Sequence, residues 1–253
     1  TGVPKLKLET GDTDAFVNYS SGTGTDTLIF AYTVGTGHVS GDLDVHGQAA
    51  LDLNGGTIKN SALNPAVLAL PIGTATDSLA SKSAIVVDSK SPSVVDVTGA
   101  DGTYKFGELF NIGVKFDEAV TVTGVPKLKL ETGSVDAVVD YDSGSGTDTL
   151  FFAYTVGTGH DSSDLDAISL ALGGGTIKDA AGNAAVLTLP IGTATDSLAS
   201  KSAIVVNGKQ PSVVEVKATS TDGTYKFGGV VNIGVKFDET VTVTGVPKLK
   251  LET

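Results

Sequence analysis

Apolar and polar residues alternate in short runs along this chain. Leu128 and Leu130 are separated by Lys129 and flanked by Lys127 and Glu131, and Val135, Ala137, Val139 and Tyr141 interleave with Asp136, Val138 and Asp140. Leu150, Phe152, Tyr154 and Val156 make a third row, and Ile112, Val114 and Phe116 a fourth beside Lys115 and Asp117. A period of two sends successive side chains to opposite faces of a strand, so each run predicts a β-strand with one face turned inward and the other to water. Clusters of Gly, Asp, Ser and Thr such as 142–147 separate the runs, as tight turns require. No segment carries a convincing amphipathic helical stripe. The SLASKSA segments holding Leu79 and Leu198 allow at most a single helical turn before a final strand.

The runs recur. The decapeptide TGVPKLKLET occurs at 1–10, 123–132 and 244–253, with offsets of 122 and then 121 residues. Between 1–44 and 123–166, 35 of 44 positions are identical, and 71–87 returns unchanged as 190–206. The copies are therefore related by duplication. Their lengths differ only at turns: the stretch from Asp44 to Leu53 carries three residues more than its counterpart from Asp166, and the region of Lys217 to Ser220 gains two. Short polar segments ending in Pro92 and Pro211 read as linkers. They divide the chain into 1–87, a repeat lacking its first strands; 92–206, a complete repeat; and 211–253, the opening strands of the next. About seven to nine strands in a unit of about 115 residues predict an all-β fold of tandem Ig-like antiparallel β-sandwiches.

Several spaced blocks within the complete unit carry a resemblance: Tyr104 to Gly107, Asn111 to Glu118, Val120 to Pro126, Ser143 to Thr147 and Gly174 to Asn183. In this order they resemble the bacterial Ig-like tandem repeats of giant secreted surface proteins and adhesins, such as the cyanobacterial swimming-motility surface protein repeats and adhesin extender domains. The resemblance spans essentially the whole chain. It implies a structural role at the bacterial cell surface, and it points to fold more closely than to function. The first copy departs from the pattern at 60–65, where Asp179 and Gly182 become Asn60 and Leu63.

Composition narrows the possibilities. A net charge of −12, with basic residues that are all Lys, disfavours nucleic acid and anionic membrane surfaces. The absence of cysteine removes disulfides, thiolate zinc sites and cysteine nucleophiles, and leaves the compartment open. No stretch approaches the roughly 20 apolar residues of a transmembrane helix. A chain opening at Thr1 without a Met is expected to be a processed product or a window of something longer.

Metal binding is the strongest chemical candidate. Asp161, Asp164 and Asp166 lie close together in one loop beside Ser162 and Ser163, and hard oxygens on a flexible loop suit Ca²⁺. The first copy keeps only Asp42 and Asp44 there. Asp179, in the Asp-Ala-Ala-Gly-Asn turn, is a further candidate ligand, and Asp88 and Asp96 flank the linker where they could stiffen it. A Ser162, His160 and Asp164 arrangement lacks a nucleophile turn and an oxyanion hole, so no enzyme is expected. Lys127 and Lys129 are expected to point to solvent and to blunt a strand edge.

The expected function is a spacer or filament body, extracellular or on the bacterial surface, whose partners are neighbouring repeats or identical chains in a filament. Strand exchange between 211–253 of one chain and 1–87 of the next would complete both ends, but the decapeptide shared by the two ends favours a window of just over two periods of a longer repetitive polymer. The alternative is a calcium-dependent glycan-binding or surface-binding module using the 161–166 loop.

Overall fold

The computed structural model describes residues 2–252. The first unit holds β1 (Lys5–Glu9), β2 (Ala15–Ser21), β3 (Ile29–Phe30), β4 (Val39–Ser40), β5 (Asp44–Val45), β6 (Leu51–Asp52), the one-turn helix α1 (Leu79–Lys82) and β7 (Val87–Asp88). The central unit holds β8 (Val94–Gly99), β9 (Gly102–Lys105), β10 (Leu109–Thr123), β11 (Lys127–Leu130), β12 (Ala137–Ser143), β13 (Thr147–Thr155), β14 (Asp161–Ser162), β15 (Ala167–Ala171) and β16 (Thr176–Lys178). It closes with α2 (Leu198–Lys201) and β17 (Ile204–Asn207). After it come β18 (Val213–Ala218) and β19 (Ile233–Phe237), paired with each other. The chain is thus almost entirely β, in antiparallel sheets, as the period-two runs predict.

In the central unit a seven-stranded sheet runs β15-β11-β12-β13-β10-β16, with β8 also paired to β10, and a three-stranded sheet runs β14-β17-β9. Their apolar faces meet in one core that includes Ile112, Leu128, Leu150, Phe152, Leu165, Ile204 and Val206. Tyr104 stacks on Phe110 at 3.9 Å between ring centroids, and Phe110 meets Tyr154 edge-on at 5.3 Å. One pair of strands departs from the antiparallel pattern: β17 pairs with β9 in parallel, Ile204 opposite Gly102 and Val206 opposite Tyr104, and an isolated parallel bridge joins Ser93 to Val186. The first and last strands of the three-stranded sheet come from opposite ends of the unit, so no hairpin constrains their relative direction.

β10 organises the unit. Its first half pairs with β13 on one side and β8 on the other; after an irregularity between Lys115 and Val120, its second half pairs with β16. A bulge of this kind bends a strand and lets it serve two neighbours. Each helix is capped by a serine, Ser78 or Ser197, whose hydroxyl accepts the N–H of Ser81 or Ser200. That satisfies one of the amides a helix start leaves free.

Lys127 and Lys129 do face outward, opposite Leu128 and Leu130, but β11 is no edge. It lies between β12 and β15. The lysines pair with Asp140 and Asp136 on β12. Their role is cross-strand charge pairing, which a pattern on one strand cannot reveal because it depends on which strand lies alongside.

The first unit has a smaller, separate core of Leu8, Ala15, Val17, Leu43 and Val87. Residues 25–33, the counterpart of β13, contribute only the two-residue β3, paired to β2.

Candidate functional site

The site with the most concentrated chemistry lies where the first unit meets the central one. β7 delivers Asp88, the bend of β10 delivers Glu118, and the turn after β16 delivers Asp179. One carboxylate oxygen of each lies within 4.8 Å of the others. Asp179 is buried, 5% exposed, and its Oδ1 and Oδ2 accept the backbone N–H and side-chain Nδ2–H of Asn183 at 2.8 Å. The same Asn183 Nδ2 donates to the backbone carbonyl of Asp88 at 3.1 Å, bridging the two units. Glu118 Oε1 is buried with no hydrogen-bond partner. Burial, together with the neighbouring Asp88, Asp179 and Asp117, pushes the Glu118 carboxyl above its ordinary value, against a smaller opposing effect of Lys90.

Beside the acidic cluster the linker is fastened directly. Lys90 Nζ lies 2.7 Å from Asp117 Oδ2, and Asp117 Oδ1 accepts the Ser93 N–H at 2.7 Å. These contacts hold the Asp117 carboxyl below the usual carboxylate range and raise Lys90. Val186 N–H donates to the carbonyl of Pro92 at 2.8 Å, tying the end of the linker to the central unit. The arrangement recurs after that unit: Lys209 Nζ lies 3.7 Å from Asp238 Oδ2, Ser212 N–H donates to Asp238 Oδ1 at 2.9 Å, and Glu239 Oε1 is again buried and unpartnered.

The three carboxylates fit a hard divalent cation. Oxygens bound to one Ca²⁺ lie no farther apart than about twice a metal–oxygen distance of 2.3–2.6 Å, a condition that three oxygens within 4.8 Å of one another meet, and the orphaned Glu118 oxygen is the kind of atom such an ion satisfies. Carbonyls and waters would complete the six to eight ligands.

The loop proposed from sequence is arranged differently. Asp161, Asp164 and Asp166 form no cluster of three convergent carboxylates among the described residues. Asp161 lies on β14, paired opposite Asn207, and Asp164 points to solvent. The Asp166 carboxylate is engaged with backbone: Oδ1 accepts from Ala167 and Ala199, and Oδ2 from Gly192 at 2.6 Å. It fastens the loop to α2, whereas Asp44 in the first unit accepts only from Val45 and from Gly73, ahead of α1. Of the four ligands read from sequence, only Asp179 joins a cluster. Glu118 escapes a reading by spacing because it lies far along the chain from both acids it meets, although the repeated Phe-Asp-Glu at 116–118 and 237–239 marks it.

His160 is bound up in packing. Its Nδ1 accepts the Gly157 N–H at 3.0 Å and shares a hydrogen bond with the Tyr154 hydroxyl at 2.8 Å, and the two rings stack. His38 and Tyr32 repeat the arrangement. Burial pushes the Tyr154 hydroxyl up to about 12. His160 thus addresses a tyrosine, not Ser162 or Asp164. A second group, Glu9, Asp14 and His46, forms on the first unit, but Lys7 Nζ already lies 2.7 Å from Asp14.

No family model, curated protein or solved structure matches this chain. No helix among the described residues is long and apolar enough to cross a membrane.

Proposed function

We propose that the chain is a spacer or filament-body segment of tandem Ig-like sandwiches from a large secreted bacterial surface protein. The observation that carries this reading is the recurrent junction. Lys90–Asp117–Ser93 on one side of the central unit and Lys209–Asp238–Ser212 on the other fasten short proline-containing linkers in the same way. A repeated joint of fixed geometry gives an array a defined direction, and reach then scales with the number of units. The net negative charge discourages neighbouring segments from collapsing on one another.

In this reading a divalent cation held by Asp88, Glu118 and Asp179 is the stiffening element of the first joint. Bridging one acid from the first unit and two from the central unit, it offsets the repulsion that their proximity creates. Small-angle scattering of the 253-residue chain is the test. In Ca²⁺ the distance distribution should be that of an extended, narrowly distributed particle, and chelation should broaden it. A chain that scatters as a flexible string of independent beads under both conditions contradicts the spacer reading.

A further inference from the structure

Both the first and the central unit grip the linker that leaves them through a histidine turn. In Gly157–His160 the imidazole folds back over the first residue, and its Nδ1 accepts the Gly157 N–H at 3.0 Å. In Gly35–His38 the same bond measures 3.1 Å. A Cβ on Gly157 would lie 2.7 Å from His160 Cε1, and one on Gly35 2.9 Å from His38 Cε1, so the ring closes only over a glycine. The histidine carbonyl then takes the first linker residue. His160 O accepts the Gly208 N–H at 2.6 Å, and the Gly208 carbonyl accepts the Gly159 N–H at 3.1 Å. His38 O accepts both the N–H and the hydroxyl of Ser89, at 3.0 and 3.1 Å. The residue after each histidine starts the short strand that pairs with the unit's last strand, Asp161 opposite Asn207 and Val39 opposite Asp88.

We propose that His38 and His160 are acid-operated catches on the two linkers, closed while the imidazole is neutral and released when it takes a second proton. The inference deepens the spacer reading, on which it rests for the role of the linkers as joints. A ring nitrogen that accepts an N–H carries no proton itself, so the closed turn holds the imidazole proton on Nε2. A proton added at Nδ1 sets one N–H against another across the same distance, and the glycine amide loses its acceptor. The Tyr154 and Tyr32 hydroxyls can rotate to accept from the imidazolium, but a backbone N–H cannot. The acids around the turns are largely engaged: Asp136 and Asp140, which line the groove beside His160, pair with Lys129 and Lys127. Asp161 and Asp88 lie on the paired short strands, and the linker lysines Lys90 and Lys209 face Asp117 and Asp238. Glu118 works in the opposite sense, since the folded protein holds its proton more tightly and acid favours that junction. Asp117 keeps its charge until pH falls below 3.8. A loosening between about pH 7.5 and about pH 5 therefore belongs to the histidines.

Amide exchange of the whole chain, followed by NMR at about pH 7.5 and about pH 5, tests the proposal. Protection of Ser89 and Gly208, corrected for the intrinsic rate, should fall by about tenfold or more, as expected when a donor is left without its partner. Ile112 and Leu150, in the β10–β13 ladder, should hold theirs. His38→Asn with His160→Asn should abolish the fall, because asparagine Oδ1 takes the place of Nδ1 and accepts the glycine N–H at either pH. Alanine at both positions should leave Ser89 and Gly208 poorly protected throughout. His46→Asn, on the inserted loop beside Glu9, should behave as the parent does. Nitrogen NMR of the imidazoles should find Nδ1 of His38 and His160 unprotonated at the higher pH. A protonated Nδ1 there, protection that ignores pH, or an asparagine variant that loses protection like the parent overturns the catches. Scattering at neutral pH keeps the two readings apart. A string of independent beads whose Ser89 and Gly208 still lose protection in acid upholds the catches and sinks the spacer, and an extended particle with constant protection does the reverse.

Discussion

At single residues the two copies run their own comparison. The turn after β16 places Gly182 at φ 93°, and the equivalent turn of the first unit places Leu63 at φ 67°. Both turns are closed alike, by Asp179 Oδ1 or Asn60 Oδ1 accepting the N–H four residues on. A left-handed backbone costs a residue with a Cβ about 1–2 kcal/mol, and the Leu63 side chain, 74% exposed, recovers little of it. Leu63→Gly should therefore stabilise the first unit by about 1 kcal/mol in denaturant titrations, and Gly182→Leu should destabilise the central unit by a similar amount. The comparison also isolates the charge of Asp179, because asparagine serves the first turn equally well. That charge belongs to the junction. Since the folded state raises the Glu118 carboxyl above 4.5, the native protein holds the proton more tightly than the unfolded chain, and stability falls as pH rises through that region. Glu118→Gln should make melting in chelator less sensitive to pH above 4.5. On the proposed cation site it should also remove the gain expected from Ca²⁺, about 2.7 kcal/mol for the parent at 100 times Kd. Asp117 acts in the opposite sense: its lowered carboxyl contributes stability above 3.8 that is lost as pH falls below it.

Among the elements, burial follows the company a strand keeps. Leu128 on β11 is fully buried and Leu249, in the same decapeptide, is 53% exposed. Leu128→Ala should cost about 2–5 kcal/mol, whereas Leu249→Ala should change stability by no more than about 0.5 kcal/mol, measured by equilibrium unfolding of each variant. The contrast marks how far sequence reaches. Alternation at 127–131 suffices to orient Lys127 and Lys129 outward, because it reports the faces of one strand. It contains nothing about neighbours, so the pairing of β11 on both sides, the parallel alignment of β9 with β17 and the two-sided service of β10 come only from the assembled sheet. Candidate ligands divide in the same way. Asp161, Asp164 and Asp166 are close in sequence, yet the Asp166 oxygens turn to the amides of Gly192, Ala167 and Ala199. Asp88, Glu118 and Asp179 are distant in sequence and meet only because β7, β10 and the turn after β16 end at one place.

For the molecule as a whole, the order of strands in the three-stranded sheet decides how a load is carried. A pull on the two linkers draws the central unit from 92 and from 208 in opposite directions. β9 and β17 come from near those two ends and lie side by side in parallel, joined over Gly102 to Lys105 and Ile204 to Asn207. Force along such a pair slides one strand past the other, so its hydrogen bonds bear tension together and must rupture together. An antiparallel hairpin held at its open end would release its bonds one at a time. The central unit should therefore give way in single-molecule stretching as one abrupt event at high force. Ala203→Pro, which removes an N–H that Asp101 accepts at the head of β17, should lower that force far more than it lowers the melting temperature. The strand that breaks the antiparallel pattern is thus the one that makes the unit a mechanical latch.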